Sequence, residues 1–386
     1  MVGLCLKYEA TNYGSKLQAL ATIRIMDRLG LKYQIIHYKK AGLWFKLKAL
    51  LRIFDSTFRQ DKIEELSRKM TLKRHPDIAP LLRVRQEMFK KYDADYFDKY
   101  EVVGLYYKDI QRLASNYDAV ITCSDQLWSP SGLGTNFYNL MFVPDSVRKI
   151  SLASSFGVSE IPWYQKRATA RYLKRIDFIS CRENHGAKIV KELTGINVPV
   201  LMDPVFAFSK EEWADLVTEE RLYNEPYVFC FLLGDNPTHR VAATKFAKQK
   251  GLKIICIKFL DQYVKCDENF GDISLYDTDP NQFLNILRGA SYVITDSFHG
   301  SAFSIIMQKN FVVLNRYAST SSCSKNSRIE SLCTNLGLLE RRVDAEQDLN
   351  QILSKPIDWE RVEEKQLTYR NKIWDYLKTS IGYYVE

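Results

Sequence analysis

The chain has no CxxC pair, no long apolar run and few residues that break regular structure. Its eight cysteines (Cys5, Cys123, Cys181, Cys230, Cys256, Cys266, Cys323 and Cys333) are scattered, with no histidine nearby at metal-ligand spacing. The sequence signatures of zinc sites and redox motifs are therefore missing. Several cysteines sit in apolar runs such as Val228-Phe229-Cys230-Phe231 and Ile254-Ile255-Cys256-Ile257, where a reduced thiol packs as a small hydrophobe. No segment approaches the roughly 20 apolar residues that a membrane-spanning helix needs. Met1 to Leu6 reaches Lys7 too soon to form a signal peptide, so the chain is expected to stay in the cytoplasm. With 17 glycines and 11 prolines in 386 residues there is no room for long disordered tracts, and no internal repeat or low-complexity segment is present. The first strand-to-helix turn lacks G-x-G-x-x-G, which disfavours a nicotinamide enzyme.

What is present is ordinary globular material, 46% hydrophobic and 26% charged, in a chain longer than a single hydrophobic core supports. Short apolar runs alternate with helical periodicity throughout, the pattern of βαβ units and doubly wound parallel sheets. The spacing predicts strands at Val2 to Leu6, Tyr33 to His37, Ala119 to Cys123, Ile150 to Ala153, Phe178 to Cys181 and Val200 to Met202. Between the first two, Leu17, Leu20, Ala21, Ile25 and Leu29 share a helix face that Gly30 ends. After a linker at Arg221 to Pro226, a second set is predicted at Tyr227 to Leu233, Lys253 to Lys258, Tyr292 to Thr295 and Asn310 to Leu314. The expected division is a first Rossmann-like domain over 1–222, a second over 223–355, and a final helix in 356–386 packing back on the first. That helix carries Trp359, Val362, Ile373, Trp374 and Leu377 in a charged background, so it needs a surface to lie on.

The net charge of +9 points to an anionic partner, whether nucleic acid, a phospholipid surface or a phosphorylated substrate. No nucleic-acid module is recognisable, and the basic residues are spread among acidic ones. Residues 39–60 stand apart. Trp44, Leu47, Leu51, Phe54 and Phe58 fall on one helical face, among Lys39, Lys40, Lys46, Lys48, Arg52 and Arg59. The segment reads either as an interfacial membrane helix or as a surface helix covering a core edge.

Polar loops follow the predicted strands, where open α/β sheets place ligand-binding groups. Asp296-Ser297-Phe298-His299-Gly300-Ser301 is a strand-to-helix turn whose amides and hydroxyls suit phosphate or carboxylate. His299 there either donates a proton at neutral pH or satisfies a buried carbonyl, and Asp296 or Ser301 either binds or simply caps the helix. Asn12-Tyr13-Gly14-Ser15 forms the corresponding turn of the first domain, with a glycine that lets backbone approach a ligand. Ser124-Asp125-Gln126, Arg182-Glu183 and Asp203-Pro204 close other strands. An arginine at a strand end offers a planar fork for an anion, although Glu183 is an equally good partner for Arg182.

In order and spacing, these segments resemble the polysaccharide pyruvyl transferase family. The resemblance rests on Asn12-Tyr13-Gly14-Ser15-Lys16-Leu17-Gln18, Ser124-Asp125-Gln126-Leu127-Trp128, Ala153-Ser154-Ser155-Phe156-Gly157, Arg182-Glu183, Asp203-Pro204 and Thr295-Asp296-Ser297-Phe298-His299-Gly300, and thins over 40–110. It implies two Rossmann-like domains facing across a cleft, the GT-B architecture. It also implies phosphoenolpyruvate as donor, no cofactor or metal, and as acceptor a hexose of a cell-surface polysaccharide or its lipid-linked precursor. In the interfacial reading, the basic segment 39–60 would bring the enzyme to the inner face of the plasma membrane, where a lipid-linked acceptor is presented. His299 matches the general acid. Arg182 and Arg328 are the cations for donor carboxylate and phosphate. Asp125, Glu183 and Asp296 are candidates for the general base, with Asp125 alternatively orienting Trp128. Asn12, Tyr13, Gly14, Ser15, Ser124, Ser297, Phe298 and Ser301 complete the substrate-binding set. Some relatives place an arginine where Ser297 stands, so phosphate contacts here are expected from Ser297, Ser301, Lys258 or Arg328. Two other readings are a nucleotide-sugar glycosyltransferase on the same architecture and a non-catalytic glycan- or anion-binding protein.

Overall fold

The structure is a computed structural model that describes residues 1–8, 11–39, 55–216, 220–316 and 327–382. Its frame is a pair of six-stranded sheets, parallel throughout. The first contains β1 (Val2–Cys5), β2 (Tyr33–Tyr38), β3 (Glu101–Gly104), β4 (Ala119–Cys123), β5 (Arg148–Ser154) and β6 (Phe178–Cys181), in the order β3-β2-β1-β4-β5-β6. The second contains β7 (Tyr227–Phe231), β8 (Lys253–Ile257), β9 (Ile273–Leu275), β10 (Tyr292–Thr295), β11 (Asn310–Leu314) and β12 (Arg342–Val343), in the order β12-β11-β10-β7-β8-β9. The two orders are the same when each is counted from its own first strand, and both are the doubly wound order. The central strands β1, β4 and β7 are buried along their whole length, which explains their unbroken apolar runs.

Three edge strands have no such signature. β3, β9 and β12 are short and half-exposed, so the apolar pattern passes over them. Conversely, Val200 to Met202 does not form the predicted strand. It makes a single bridge from Val200 to Cys181 at the sheet edge, and the chain then turns into a 3-10 helix at Pro204–Ala207, capped by Asp203 accepting from the Val205 amide at 3.2 Å.

The Tyr13–Arg28 helix follows β1 directly. Asn12 caps it by accepting from the Ser15 amide at 3.1 Å, and Gly30 leaves it with a φ of 63°. It is buried on nearly every side, as a helix enclosed between two domains must be. Even Lys16 is buried there; its ammonium is paired with Asp93 and lies 5.0 Å from the Tyr8 ring centre. The last helix, Trp359–Ile381, runs back along the first domain. The Tyr376 hydroxyl donates to the Ser151 carbonyl at 2.8 Å, the Trp374 indole donates to the Ala207 carbonyl at 3.3 Å, and Arg148 donates to the Ile381 carbonyl at 2.7 Å.

The apolar stripe read over 39–60 is not one helix. Asp55 is extended (φ −79°, ψ 114°) and caps the helix Ser56–Arg74 by accepting from the amides of Thr57 and Phe58 at 3.0 and 3.3 Å. Phe58 belongs to that helix, whereas Trp44, Leu47, Leu51 and Phe54 lie outside the described residues. Among the described residues no helix is long and apolar enough to cross a membrane, and every cysteine is a free thiol.

Candidate active site in the interdomain cleft

In a doubly wound sheet the ligand crevice lies at the carboxyl ends of the strands where the order reverses. Those points are β1/β4 in the first sheet and β7/β10 in the second. Here they face each other. Asn12, Tyr13 and Ser15 after β1, Asp125 and Gln126 after β4, Leu233 after β7, and Ser297, Phe298 and His299 after β10 all line one cavity of 320 Å³.

His299 stands in the first turn of the Phe298–Ile306 helix, whose N-cap Ser297 accepts from the Gly300 amide at 3.3 Å. Its ring is held from two sides. Nε2 lies 3.5 Å from the Asp203 carboxylate, and Nδ1 abuts Gly14 so closely that a Cβ there would come within 2.0 Å. Asp203 is wholly buried, accepts from the Ser124 hydroxyl at 2.6 Å and pairs with Arg182 Nη1 at 2.8 Å. Burial alone would raise its carboxyl pKa, but His299, Arg182 and Ser124 outweigh burial and hold it well below the usual range. The Asp203 carboxylate on one side and the Gly14 backbone on the other fix the orientation of the imidazole in the cavity.

Asp125 is the other acidic group at this point. Ser124 and Asp125 have φ of 42° and 54°, consecutive left-handed residues of the strained kind that cluster at functional sites. The strain aims Asp125 into the cavity, where Oδ2 accepts from Ser15 Oγ at 2.9 Å and lies 3.7 Å from Lys7. Burial opposes its charge, but Lys7, Arg182 and His299 prevail and keep it ionised far below neutrality.

The remaining sequence-predicted residues divide into wall and support. Asn12, Tyr13, Ser15, Asp125, Ser297, Phe298, His299 and Arg328 line the cavity, as does Lys258. Arg182 does not. Its guanidinium is turned to Asp203 and stacks 4.5 Å from the Phe298 ring centre, while Nε and Nη2 have no hydrogen-bond partner among the described residues. Glu183 lies behind it, accepting from Ser155 Oγ at 2.9 Å and from the Phe156 amide at 3.1 Å, so it braces a loop. Asp296 accepts from the amides of Leu233 and Gly234 at 2.7 and 2.8 Å and fixes the β7 turn. Ser301 donates its hydroxyl to the Ser297 carbonyl at 2.9 Å inside its own helix. Arg328, by contrast, lies 5.9 Å from the Phe298 ring centre and has its pKa lowered to about 10 by burial and by Arg182, so it remains a cation at neutral pH.

Four cations escaped the sequence reading. Lys7, Arg68, Arg85 and Arg316 join Lys258 and Arg328 in the wall, where the acidic lining among the described residues is Asp125 and Asp261. Outside that lining, Arg316 is paired with the Asp296 carboxylate at 3.1 Å and Arg68 lies 3.9 Å from Glu64. Arg316 follows β11 in the loop at its carboxyl end and donates to the Asp296 carbonyl at 2.7 Å, a strand-end position of the same kind as the residues the sequence does point to. Arg85 comes from the Ile78–Tyr96 helix of the first domain and crosses the cleft to donate to the carbonyls of Lys258, Tyr276 and Leu275 at 2.6, 2.9 and 3.3 Å. Near it, the Tyr13 hydroxyl shares a hydrogen bond with Thr278 Oγ1 at 2.6 Å. Among the described residues no group of three or more His, Cys, Asp or Glu is placed to hold a metal ion.

Two doubly wound domains with their ligand-binding edges turned towards a shared cleft define a GT-B enzyme. The chain is similar in fold to S. aureus MnaA in its co-structure with UDP (10% identity, covering 100% of this chain and 97% of that one, TM-score 0.51). It is likewise similar to an alpha-glucosyltransferase in complex with UDP (9% identity, 98% and 95%, TM-score 0.50). At that identity the likeness is one of fold alone. No curated protein matches the chain in sequence. The polysaccharide pyruvyl transferase family matches residues 12–317, from the Asn12 turn to just beyond Arg316, and the chain belongs to that family.

Proposed function

We propose that this pyruvyl transferase takes phosphoenolpyruvate as donor and converts two hydroxyls of a hexose, in a surface polysaccharide or its lipid-linked precursor, into a pyruvate ketal. The observation that carries the reading is the cavity wall, where among the described residues six cations, two of them paired with carboxylates outside the lining, outnumber the two lining carboxylates around one histidine. A small, highly anionic donor suits that balance. Arg328, Arg316, Lys258 and Lys7 surround its phosphate and carboxylate, and Ser297 adds a hydroxyl.

His299, oriented by Asp203, acts as the general acid and delivers a proton to the donor's methylene carbon, which becomes the methyl group. The adjacent carbon acquires oxocarbenium character and is attacked by one sugar hydroxyl. Phosphate then leaves with the carbon–oxygen electron pair, and the second hydroxyl closes the ketal. Of the two hydroxyl protons, one departs on phosphate and the other restores His299, so the reaction balances without an oxidant or reductant. Asp125, already ionised in the cavity, accepts a hydrogen bond from the attacking hydroxyl. Attack on so electrophilic a carbon needs only a weak base.

The test is mass spectrometry of candidate oligosaccharides incubated with phosphoenolpyruvate, beside thermal stabilisation by phosphoenolpyruvate and by a panel of UDP-sugars. Ligands of the folded state raise the melting midpoint. Ketal product together with stabilisation by phosphoenolpyruvate supports the reading. Stabilisation by a UDP-sugar alone, with glycosyl rather than pyruvyl transfer, overturns it.

A further inference from the structure

Two more cavities adjoin the one around His299. The nearer, 410 Å³, shares Lys7 and Gln126 with it. The larger, 1110 Å³, shares Thr11, Arg68 and Asp261 with it, and shares Asp61, Glu64, Ser131, Gly132 and Thr135 with the nearer one. Together they form a continuous groove between the Ser56–Arg74 helix and the Pro130–Thr135 turn. Drug-sized ligands fill about 300–1,000 Å³, so the groove has room well beyond a donor and one sugar ring.

Its chemistry changes along the way. Around His299 the wall is cationic. In the larger cavity Lys62 and Lys69 are paired with Glu65, and Lys16 with Asp93. In the nearer groove Lys7 is the only cation among the described residues, sharing the wall with Asp61 and Glu64; Gln60, Gln126, Ser129, Ser131, Thr135 and Tyr138 add hydroxyls, amides and a ring beside apolar Leu127, Pro130 and Val158. Such a surface is poor for a phosphate but matches the mixed donors and acceptors and the apolar faces of neutral sugars. At the junction, the Gln126 side-chain nitrogen is buried without a hydrogen-bond partner among the described residues, an unmet donor that a ligand hydroxyl would satisfy.

We infer that the acceptor is read as a chain of several neutral sugars, with the reacting hexose at His299 and the following residues laid in this groove beneath the Ser56–Arg74 helix. The inference rests on the pyruvyl-transfer reading above. It assigns acceptor-length specificity to residues remote from the chemistry.

Gly132 provides the test. A Cβ there would meet nothing nearer than the Leu127 carbonyl oxygen at 4.0 Å, so Gly132→Phe projects a ring into the groove without disturbing the turn. Gln60→Trp, at an exposed position of the opposite wall, obstructs the same space and stands in should the first variant fold poorly. Either change should raise KM for an oligosaccharide acceptor about tenfold or more, leave turnover of a single-sugar glycoside unchanged, and leave stabilisation by phosphoenolpyruvate unchanged. Equal effects on short and long acceptors, or no effect on either, overturn the inference. Binding of the unmodified oligosaccharide to His299→Gln protein, with and without Gly132→Phe, needs no donor chemistry. Loss of that binding through Gly132→Phe supports the groove even if pyruvyl transfer is not the reaction. Binding that Gly132→Phe leaves intact counts against the groove alone.

Discussion

Gly14, at the start of the first helix, and His299, in the first turn of a helix in the other domain, touch across the cleft with no space for a methyl group between them. An added Cβ on Gly14 would sit 2.0 Å from Nδ1 and 2.4 Å from Cγ of the imidazole. Gly14 has no left-handed φ to explain its identity; the glycine is required by the neighbouring ring. Gly14→Ala should therefore displace His299 or part the domains. A misplacement of about 1 Å costs on the order of 10²-fold in rate, so kcat should fall by about that much while the protein stays folded. Near wild-type kcat in Gly14→Ala would show that the ring has freedom to move.

His299→Gln removes proton delivery and keeps the side chain's bulk. Turnover should fall about 10²–10⁴-fold, with the melting temperature and stabilisation by phosphoenolpyruvate little changed. Calorimetry and single-turnover kinetics separate the two effects. Unimpaired turnover would make His299 a packing residue.

The two arginines read as a pair from the sequence should now behave differently. Arg328 lines the cavity, so Arg328→Ala should weaken phosphoenolpyruvate binding by roughly 1.5–3 kcal/mol, the value of a charge-assisted contact, with little change in stability. Arg182 is buried against Asp203, and Arg182→Ala strands that carboxylate. Breaking a buried pair costs about 3–5 kcal/mol, which denaturant unfolding would detect. If Arg182→Ala instead loses donor affinity at unchanged stability, its guanidinium reaches the ligand.

Acid should find the same spot. Asp203 and Asp125 have carboxyl pKa values held well below the ordinary aspartate value of about 3.9. A depressed native pKa gives stability that is full above the unfolded value, erodes below it, and is gone once the pH has fallen through the native one. Unfolding free energy should hold steady from neutrality to about pH 4 and decline below it. In Asp203→Asn the decline should be shallower. An equally steep decline in that variant would move the effect to other carboxylates.

Residues 39–60 are expected to bring the enzyme to an anionic membrane surface. The apolar residues concerned are Trp44, Leu47, Leu51 and Phe54, since Phe58 belongs to the Ser56–Arg74 helix and lines the larger cavity. Nearby lysines and arginines would contribute about 1 kcal/mol each at the surface, screened as salt rises. Serine at Trp44, Leu47 and Leu51 should reduce binding to anionic liposomes and activity on a lipid-linked acceptor, and spare a soluble one. Equal losses on both acceptors would assign the segment to the fold.

The fold class was legible because buried parallel strands are short apolar runs that stop at polar loops. Ala119–Cys123, Phe178–Cys181, Tyr292–Thr295 and Asn310–Leu314 are read from the sequence with the bounds they have in the structure. Edge strands such as Ile273–Leu275 are half-exposed and lack that contrast. The cavity's loop residues were legible for a related reason: they follow strands, and strand ends at a switch point bind ligands. Arg68 and Arg85 were not, because they sit on helices whose approach to the cleft is a matter of tertiary packing. Nor does the sequence reveal that Arg182 faces Asp203, since both end strands or turns and only the fold says which way each points.

The bridge made by Arg85 is one-sided. It grips the second domain entirely through the backbone oxygens of Lys258, Leu275 and Tyr276, atoms that every residue type carries. Substitutions at those three positions leave the bridge standing, and none of them can restore it once position 85 is changed. The second half is therefore free to diverge at those three positions, whereas position 85 of the first half is not, since no other side chain there can replace what its guanidinium donates.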